Sequence, residues 1–389
     1  MNIVLFDDPL IRTSLLPLTF TRPVAEIRIG ILKISEKWAQ HFKQVSYKTE
    51  PYLSAKYPEK TASDTVYVNG AVCPSEDTLT SIKAIRKGQS LWQEETLIAS
   101  HDLSDLDKTE KKQVTHHLIM VDRLWKIFKL NGDQIRSDFA LVTKGRTSSS
   151  INDPYTIVYN PENVFVENGA AIKAAVINAE NGPIYIGKNV KVLEGAIIRG
   201  SHALCEGSVV NMGAKLKGDS TVGPYSKVGG EVSNSVIFGY SNKGHDGFLG
   251  NSVLGEWCNL GADTNTSNLK NDYGEVKIWD YTKSGFNGTG EMFCGLFMGD
   301  HSKAGINTMF NTGTIVGVSS NIFGSGFPRN FVPSFSWGGL AGFSTYQLKK
   351  AFAVAGKVMQ RRNLAFDDKE KTILETVFKQ TAEHRIWET

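Results

Sequence analysis

No apolar run in this 389-residue chain approaches the roughly 18 residues that a membrane-spanning helix requires, which excludes a helical membrane protein. A secretory signal is not expected either. Such a signal starts basic and stays apolar for longer, whereas the opening Met-Asn-Ile-Val-Leu-Phe runs straight into Asp7 and Asp8 and reads as a buried strand meeting a polar turn. Cysteine is scarce: Cys73, Cys205, Cys258 and Cys294 are far apart, with no C-x-x-C and no His/Cys cluster at ligand spacing. That excludes a disulfide scaffold or zinc ribbon and predicts a reduced, cytoplasmic chain. Excess charge is lacking as well. Forty-three Lys+Arg against 40 Asp+Glu leave +3, so the chain is not a nucleic-acid binder that works by bulk charge. With 21% charged and 41% hydrophobic residues it is not disordered. Proline is sparse at 12 residues while glycine reaches 37, and most of the glycine falls after position 160 in a regular pattern.

That pattern has a period of six. Ile186, Val192, Ile198, Leu204, Val210, Leu216, Val222 and Val228 recur at strict intervals. Four residues after each comes a mostly small residue: Val190, Ala196, His202, Ser208, Ala214, Ser220, Ser226 and Val232. A helix of period 3.6 would scatter these positions, and a strand of period two would make the alternate residues apolar as well. Large and small sites in alternation fit the narrow interior of a parallel β-helix, in which each short strand stacks on its counterpart in the next coil. The count then slips. Val236, Phe248, Leu254 and Leu260 continue it, with Asn242 as a polar exception. After a polar insertion near 266–290, Met292, Met298, Phe310, Val316 and Ile322 resume it around Ala304. His202, at an interior small site, reads as a satisfied structural histidine.

This hexapeptide pattern resembles the left-handed β-helix of hexapeptide-repeat acyltransferases, whose coils hold about three hexads and which usually form trimers with active sites between neighbouring prisms. Within the second phase block, Tyr240-Ser-Asn-Lys-Gly-His245-Asp-Gly-Phe-Leu-Gly250 is followed by Asn259-Leu-Gly261-Ala262-Asp-Thr-Asn-Thr-Ser-Asn268. Residues 160–330 thereby resemble the acetyltransferase half of the bifunctional N-acetylglucosamine-1-phosphate uridylyltransferase/glucosamine-1-phosphate acetyltransferases. They are similar too to the archaeal sugar-1-phosphate nucleotidyltransferase/acetyltransferases, through Asn234-Ser-Val-Ile237 and Gly299-Asp-His-Ser-Lys303-Ala-Gly-Ile-Asn307.

The resemblance implies that His245 is the general base for an amino-sugar nitrogen attacking the thioester of acetyl-CoA, a task that suits a near-neutral imidazole. It implies that backbone amides near Gly261 and Ala262 stabilise the oxyanion and that Asn259 and Asn268 hold the sugar. Lys215, Lys217 and Lys277 then receive the sugar phosphate, and Lys303 a phosphate of coenzyme A. Ser233 and Phe248 stand where the bacterial enzymes carry a lysine and a tyrosine, so the resemblance leaves open whether the acceptor is glucosamine 1-phosphate or another amino-sugar 1-phosphate.

The first 150 residues read as an α/β domain: a strand at 3–6, a basic loop, then a helix at 31–42. The loop Arg12-Thr-Ser-Leu-Leu-Pro17-Leu-Thr19-Phe-Thr-Arg22-Pro23 resembles a degraded phosphate-cradling signature of sugar-phosphate nucleotidyltransferases. This implies that Arg12 and Arg22 bind the nucleotide, and that Asp122 is the candidate ligand for the Mg2+ such a transfer needs. Past 330, helical spacing over 347–362 and 367–384 predicts a helical cap. Its pair Arg361-Arg362 reads either as a solvated face or as a contact to coenzyme A.

The predicted architecture is therefore a truncated nucleotidyltransferase-like α/β domain (1–150), a left-handed β-helix acyltransferase domain (151–330) and C-terminal helices (331–389). The expected activity is acetyl-CoA-dependent N-acetylation of an amino-sugar 1-phosphate coupled to sugar-1-phosphate nucleotidyl transfer, in cell-envelope nucleotide-sugar synthesis by a homotrimer whose partners are small molecules rather than nucleic acid or membrane. Two rivals stand beside it. One is a nucleotidyltransferase that uses the β-helix as a trimerising scaffold; the other is a non-catalytic regulator that binds sugar nucleotides.

Overall fold

The computed structural model describes residues 1–388, which divide into two compact units. One comprises Met1–Ile27 and Leu32–Arg123; the other comprises Arg28–Ile31 and the chain from Leu124 onward. The first compact unit ends at 123, and the helices Leu124–Lys129 and Asn131–Thr143 pack on the β-helix. Among the described residues no helix is long and apolar enough to cross a membrane.

The first unit is built on a six-stranded mixed sheet in the order Val45–Lys48, Asn2–Phe6, Thr65–Asn69, Thr96–Ser100, Gln89–Gln93, Glu110–Gln113. Asn2–Phe6 sits inside this sheet, parallel to both neighbours. Its Ile3, Val4 and Leu5 are buried, as a continuous apolar run covered on two faces requires.

The second unit is a left-handed parallel β-helix with three faces, formed by sheets of six, nine and ten strands. Its register explains the repeat. Ile198 pairs with Leu216, Leu204 with Val222 and Val210 with Val228, each eighteen residues apart, so three hexads close one coil. All eight large positions from Ile186 to Val228 lie in one core, and every small companion is buried. Each aliphatic side chain so withdrawn from water stabilises the unit by roughly 1.5–3 kcal/mol.

Where the repeat slips, the interior positions differ from the sequence count. Val222 pairs with Ile237 and Val228 with Lys243, so this coil is three residues short. The inward side chains are Ile237, Lys243 and Leu249 rather than Val236, Asn242 and Phe248. Met292 is exposed instead of interior, whereas Met298, Ala304, Phe310, Val316 and Ile322 lie inside as expected. Most of the insertion projects as an antiparallel hairpin, Lys277–Asp280 with Gly285–Gly288.

The segment Arg28–Ile31 is held within this unit: the Gly30 N–H donates to Asn131 Oδ1 (2.8 Å) and the Ile31 N–H to Asp138 Oδ2 (2.8 Å). Gly30 has φ +79°, and a Cβ there would lie 2.5 Å from Asp138 Oδ2, so only glycine fits. The C-terminal helices run Leu348–Gln360 and Asp368–Gln380, close to the spans expected from their spacing.

His202 is fully buried, but only one of its nitrogens is satisfied. Nδ1 lies 3.2 Å from the Gly200 carbonyl oxygen, while Nε2 has no hydrogen-bond partner. Burial pushes its pKa from 6.5 down to about 4. The unfolded chain therefore binds this proton at higher pH than the native one. The contribution is fully present above pH 6.5 and is lost as pH falls towards 4, reaching about 3 kcal/mol. We predict that His202→Leu flattens the dependence of unfolding free energy on pH by that amount, measured by urea titration from pH 7 to 4. Parallel curves for the two proteins would show that His202 protonates as freely folded as unfolded.

Candidate active site

His245 occupies the corner at which the short coil passes from its third face, strand Asn242–Lys243, to its first, strand Phe248–Gly250. The imidazole is exposed, as expected for an outward position. The backbone beneath it is fixed: Asn211 Nδ2 donates to the Gly244 carbonyl (2.6 Å), and the Asp263 N–H to that of Asp246 (3.1 Å). Lys243 Nζ reaches the carbonyls of His245 (2.6 Å) and Asp246 (2.9 Å).

One coil up, Gly261 and Ala262 are not equivalent. The Gly261 N–H donates to the Ala304 carbonyl (3.0 Å), and a Cβ on Gly261 would lie 2.5 Å from the Gly305 backbone. Coil stacking, not ligand approach, therefore requires this glycine, and its amide is spent. The Ala262 N–H makes no bond within the protein and remains the available donor.

Along the third face, Lys227, Asn242, Asn259 and Lys303 line a cavity of about 270 Å³ together with Tyr240, Trp257, Arg361 and Arg362. Lys227, Asn242, Asn259 and Lys303 follow one another up the sheet in register. Lys303 sits deep, its ammonium lying 3.3 Å from the carbonyls of Trp257 and His301, and burial pushes its pKa down. Four basic side chains around so small a volume make it electropositive. Tyr240 and Trp257 in its lining belong to a ladder of rings: Tyr225 to Tyr240 (5.4 Å), Tyr240 to Trp257 (4.3 Å) and Trp257 to His301 (6.2 Å). These residues turn the corner between the second and third faces at φ 55, 53, 63 and 62°. Such strain in bulky residues is offset by stacking. The hexad count pointed to interiors and missed this outward ladder, although Tyr240 and Trp257 are seventeen residues apart, one coil of this region.

The remaining candidates are not gathered on one chain. Lys215 and Lys217 project from the first face, with Lys217 paired to Glu231 at 2.7 Å, in register with Ser233 and Phe248 above them. Asn268 opens the insertion and donates to Asn251 Oδ1 (2.8 Å), whereas Asn259 neighbours Asn242 on the third face. Lys277 lies far up the helix in a cleft of about 660 Å³ with Lys270, Arg329, Trp279 and Phe331. A larger cleft, of about 760 Å³, adjoins it at the last coils and shares Trp279 and Phe331, again away from His245.

In the first unit, Asp8 caps the helix Pro9–Ser14 by accepting the Leu10 and Ile11 N–H groups. A carboxylate thus occupies the place where a helix terminus would receive phosphate. Arg12 is buried and committed: its guanidinium donates to Asp7 (3.3 Å), the Arg22 carbonyl (3.2 Å) and the Tyr52 hydroxyl (2.8 Å). Asp7 also accepts from Thr49 (2.5 Å) and the Val24 N–H (2.8 Å). Burial raises its pKa against the pull of Arg12. Arg22 is buried too. Asp122 is half-buried, and its carbonyl accepts the Ser14 hydroxyl (2.6 Å). Among the described residues no three His, Cys, Asp or Glu side chains group to hold a metal. Arg12→Met is expected to destabilise the first unit by about 3–5 kcal/mol, since it strands the Asp7 carboxyl in the interior; chemical denaturation followed by Trp38 emission measures this. An unchanged midpoint would mean that Arg12 is free for a ligand.

Residues 3–147 match the family model described as sugar nucleotidyl transferase. The chain is 34% identical over 106 residues to the bifunctional protein GlmU of Trichodesmium erythraeum, which covers 26% of this chain and 22% of that one. To the bifunctional sugar-1-phosphate nucleotidylyltransferase/acetyltransferase of Sulfurisphaera tokodaii it is 36% identical over 93 residues, 24% of this chain and 23% of that one. To the putative uncharacterized acetyltransferase YaiX of Escherichia coli it is 25% identical over 162 residues, 41% of this chain and 70% of that one. The chain spans less than a quarter of the length of the first two. It joins a domain matching the sugar nucleotidyl transferase family to a hexapeptide-repeat β-helix, and it resembles the bifunctional nucleotidyltransferase/acetyltransferases.

Proposed function

We propose that the protein is an acetyl-CoA-dependent N-acetyltransferase acting on an amino-sugar 1-phosphate, with its chemistry at the His245 corner. The observation that carries this is the cationic cavity on the third face, which shares that face with the strand leading into His245. Its chemistry fits the phosphates of coenzyme A. Lys227, Lys303, Arg361 and Arg362 hold them, and Tyr240 and Trp257 give a flat wall. The coenzyme supplies an acetyl group activated as a thioester. His245 takes the proton from the sugar amine as the nitrogen attacks, and the Ala262 N–H faces the developing oxyanion.

Asn259, Asn268, Lys215, Lys217 and Lys277 lie on different faces and levels of one prism. The sugar phosphate is therefore bound between neighbouring prisms of a homotrimer, which brings such residues to a shared groove.

The match of residues 3–147 favours a second activity, nucleotidyl transfer to the sugar 1-phosphate. The committed Arg12 speaks against it, and we assign no step to the first unit. Magnesium-dependent pyrophosphate release by the purified chain would reverse that assignment.

Thiol release from acetyl-CoA, offered glucosamine 1-phosphate and related amino-sugar phosphates, tests the main reading. His245→Ala is expected to lower kcat by about 10²–10⁴-fold. Lys303→Met raises KM for acetyl-CoA about tenfold and leaves kcat nearly unchanged, as the loss of uniform binding requires. Absence of release with every acceptor would refute the acetyltransferase.

A further inference from the structure

In the third-face column, the inward position held by Val228 and Leu260 in the coils on either side is held in the short coil by Lys243. It is one of the largest fully buried side chains, with 1% of its surface exposed. An aliphatic residue would pack there at no electrostatic cost, whereas an ammonium withdrawn from water carries a desolvation penalty of several kcal/mol. Burial accordingly pushes the Lys243 pKa down to about 8, against the opposing pull of Asp246 and Asp263. The ammonium is turned to the carbonyls of His245 (2.6 Å) and Asp246 (2.9 Å). The other carbonyls of this turn are held from outside: that of Gly244 by Asn211, and that of Gly247 by the Glu231 N–H (3.1 Å). The His245 carbonyl has no other donor.

We propose that Lys243 is the positioning residue for His245: from inside the coil it holds the carbonyl of His245 itself and so fixes the turn from which the imidazole projects. The side chain touches no substrate and acts only through the backbone. This inference rests on the reading of His245 as the base, and it explains why a coil interior built of Val, Leu and Ile holds a charge at this level. An aliphatic residue would fill the space but leave the His245 carbonyl of an exposed turn without a donor, while the Asp246 carbonyl keeps the Asp263 N–H.

The test uses the full chain with Lys243→Leu, which matches Leu260 of the next coil, and Lys243→Met, which keeps the unbranched stem without its donors. Both are expected to keep or raise the thermal midpoint, since a buried charge is removed. Both lower kcat for acetyl transfer by about 10²-fold, the scale of a misplacement of about 1 Å, with KM for acetyl-CoA within about twofold of wild type. Hydrogen–deuterium exchange is expected to speed up in the peptide covering 242–250 and to stay unchanged in the neighbouring coils.

Unchanged kcat, or unchanged exchange over 242–250, overturns the proposal. So does a fall in kcat that tracks a lowered midpoint and exchange quickened throughout the helix, the signature of a merely structural role. If His245→Ala retains full acetyl transfer while Lys243→Leu still loosens 242–250 alone, the base assignment fails and the anchoring of the turn stands.

Discussion

The second unit depends on the stacking of coils in register. Each strand of two to four residues bonds to strands of the coils below and above, so its inward side chain lands on the inward side chain of its neighbours. A strand that short has no stability alone; it exists because the column does. The same constraint sets the glycines. At Gly261 the next coil passes so close that a Cβ would meet the Gly305 carbonyl carbon at 2.5 Å. The backbone itself, rather than any ligand, demands the missing side chain.

A column this regular leaves little room for chemistry inside it, and the reactive groups gather where it is interrupted. The short coil places a lysine on an inward position and a histidine on the corner that follows. The insertion after Asn268 lifts Lys277 away to a cleft near the end of the helix. On the corner between the second and third faces, four rings take up a conformation that bulky residues normally avoid, and two of them, Tyr240 and Trp257, form a wall beside Lys303, Arg361 and Arg362. In each case a cost in local stability is met by the surrounding coils, whose ladder of hydrogen bonds and buried aliphatics is intact on both sides.

The first unit solves its electrostatics in another way. A carboxyl at the end of the strand Asn2–Phe6 is enclosed and paired with Arg12, a hydroxyl and an amide, and a second carboxylate caps the helix that follows. Arg12, which reads as part of a nucleotide cradle from its place along the chain, is turned instead to Asp7, Tyr52 and the Arg22 carbonyl. A motif lists residue types, but it does not say whether their hydrogen bonds are directed outward or satisfied within.

The six-residue period, the large and small sites from Ile186 to Val228, the outward His245 and both terminal helices were legible in the chain, because each follows from a local alternation that stacking only repeats. What the sequence could not show is where the count moves by one. It pointed to Asn242 and Phe248 as interior, and the register turned in Lys243 and Leu249 instead, since a coil three residues short changes which side chain faces the axis. Nor did it show that Arg12 is committed, that the Gly261 amide is spent, or that Arg361 and Arg362 line one cavity with Lys227 and Lys303. By itself the sequence determined a hexapeptide coil with an exposed imidazole at its corner. The tertiary structure alone decided which charges are buried, which amides remain free and which cations share a cavity, because those depend on distances between coils and not on spacing within one.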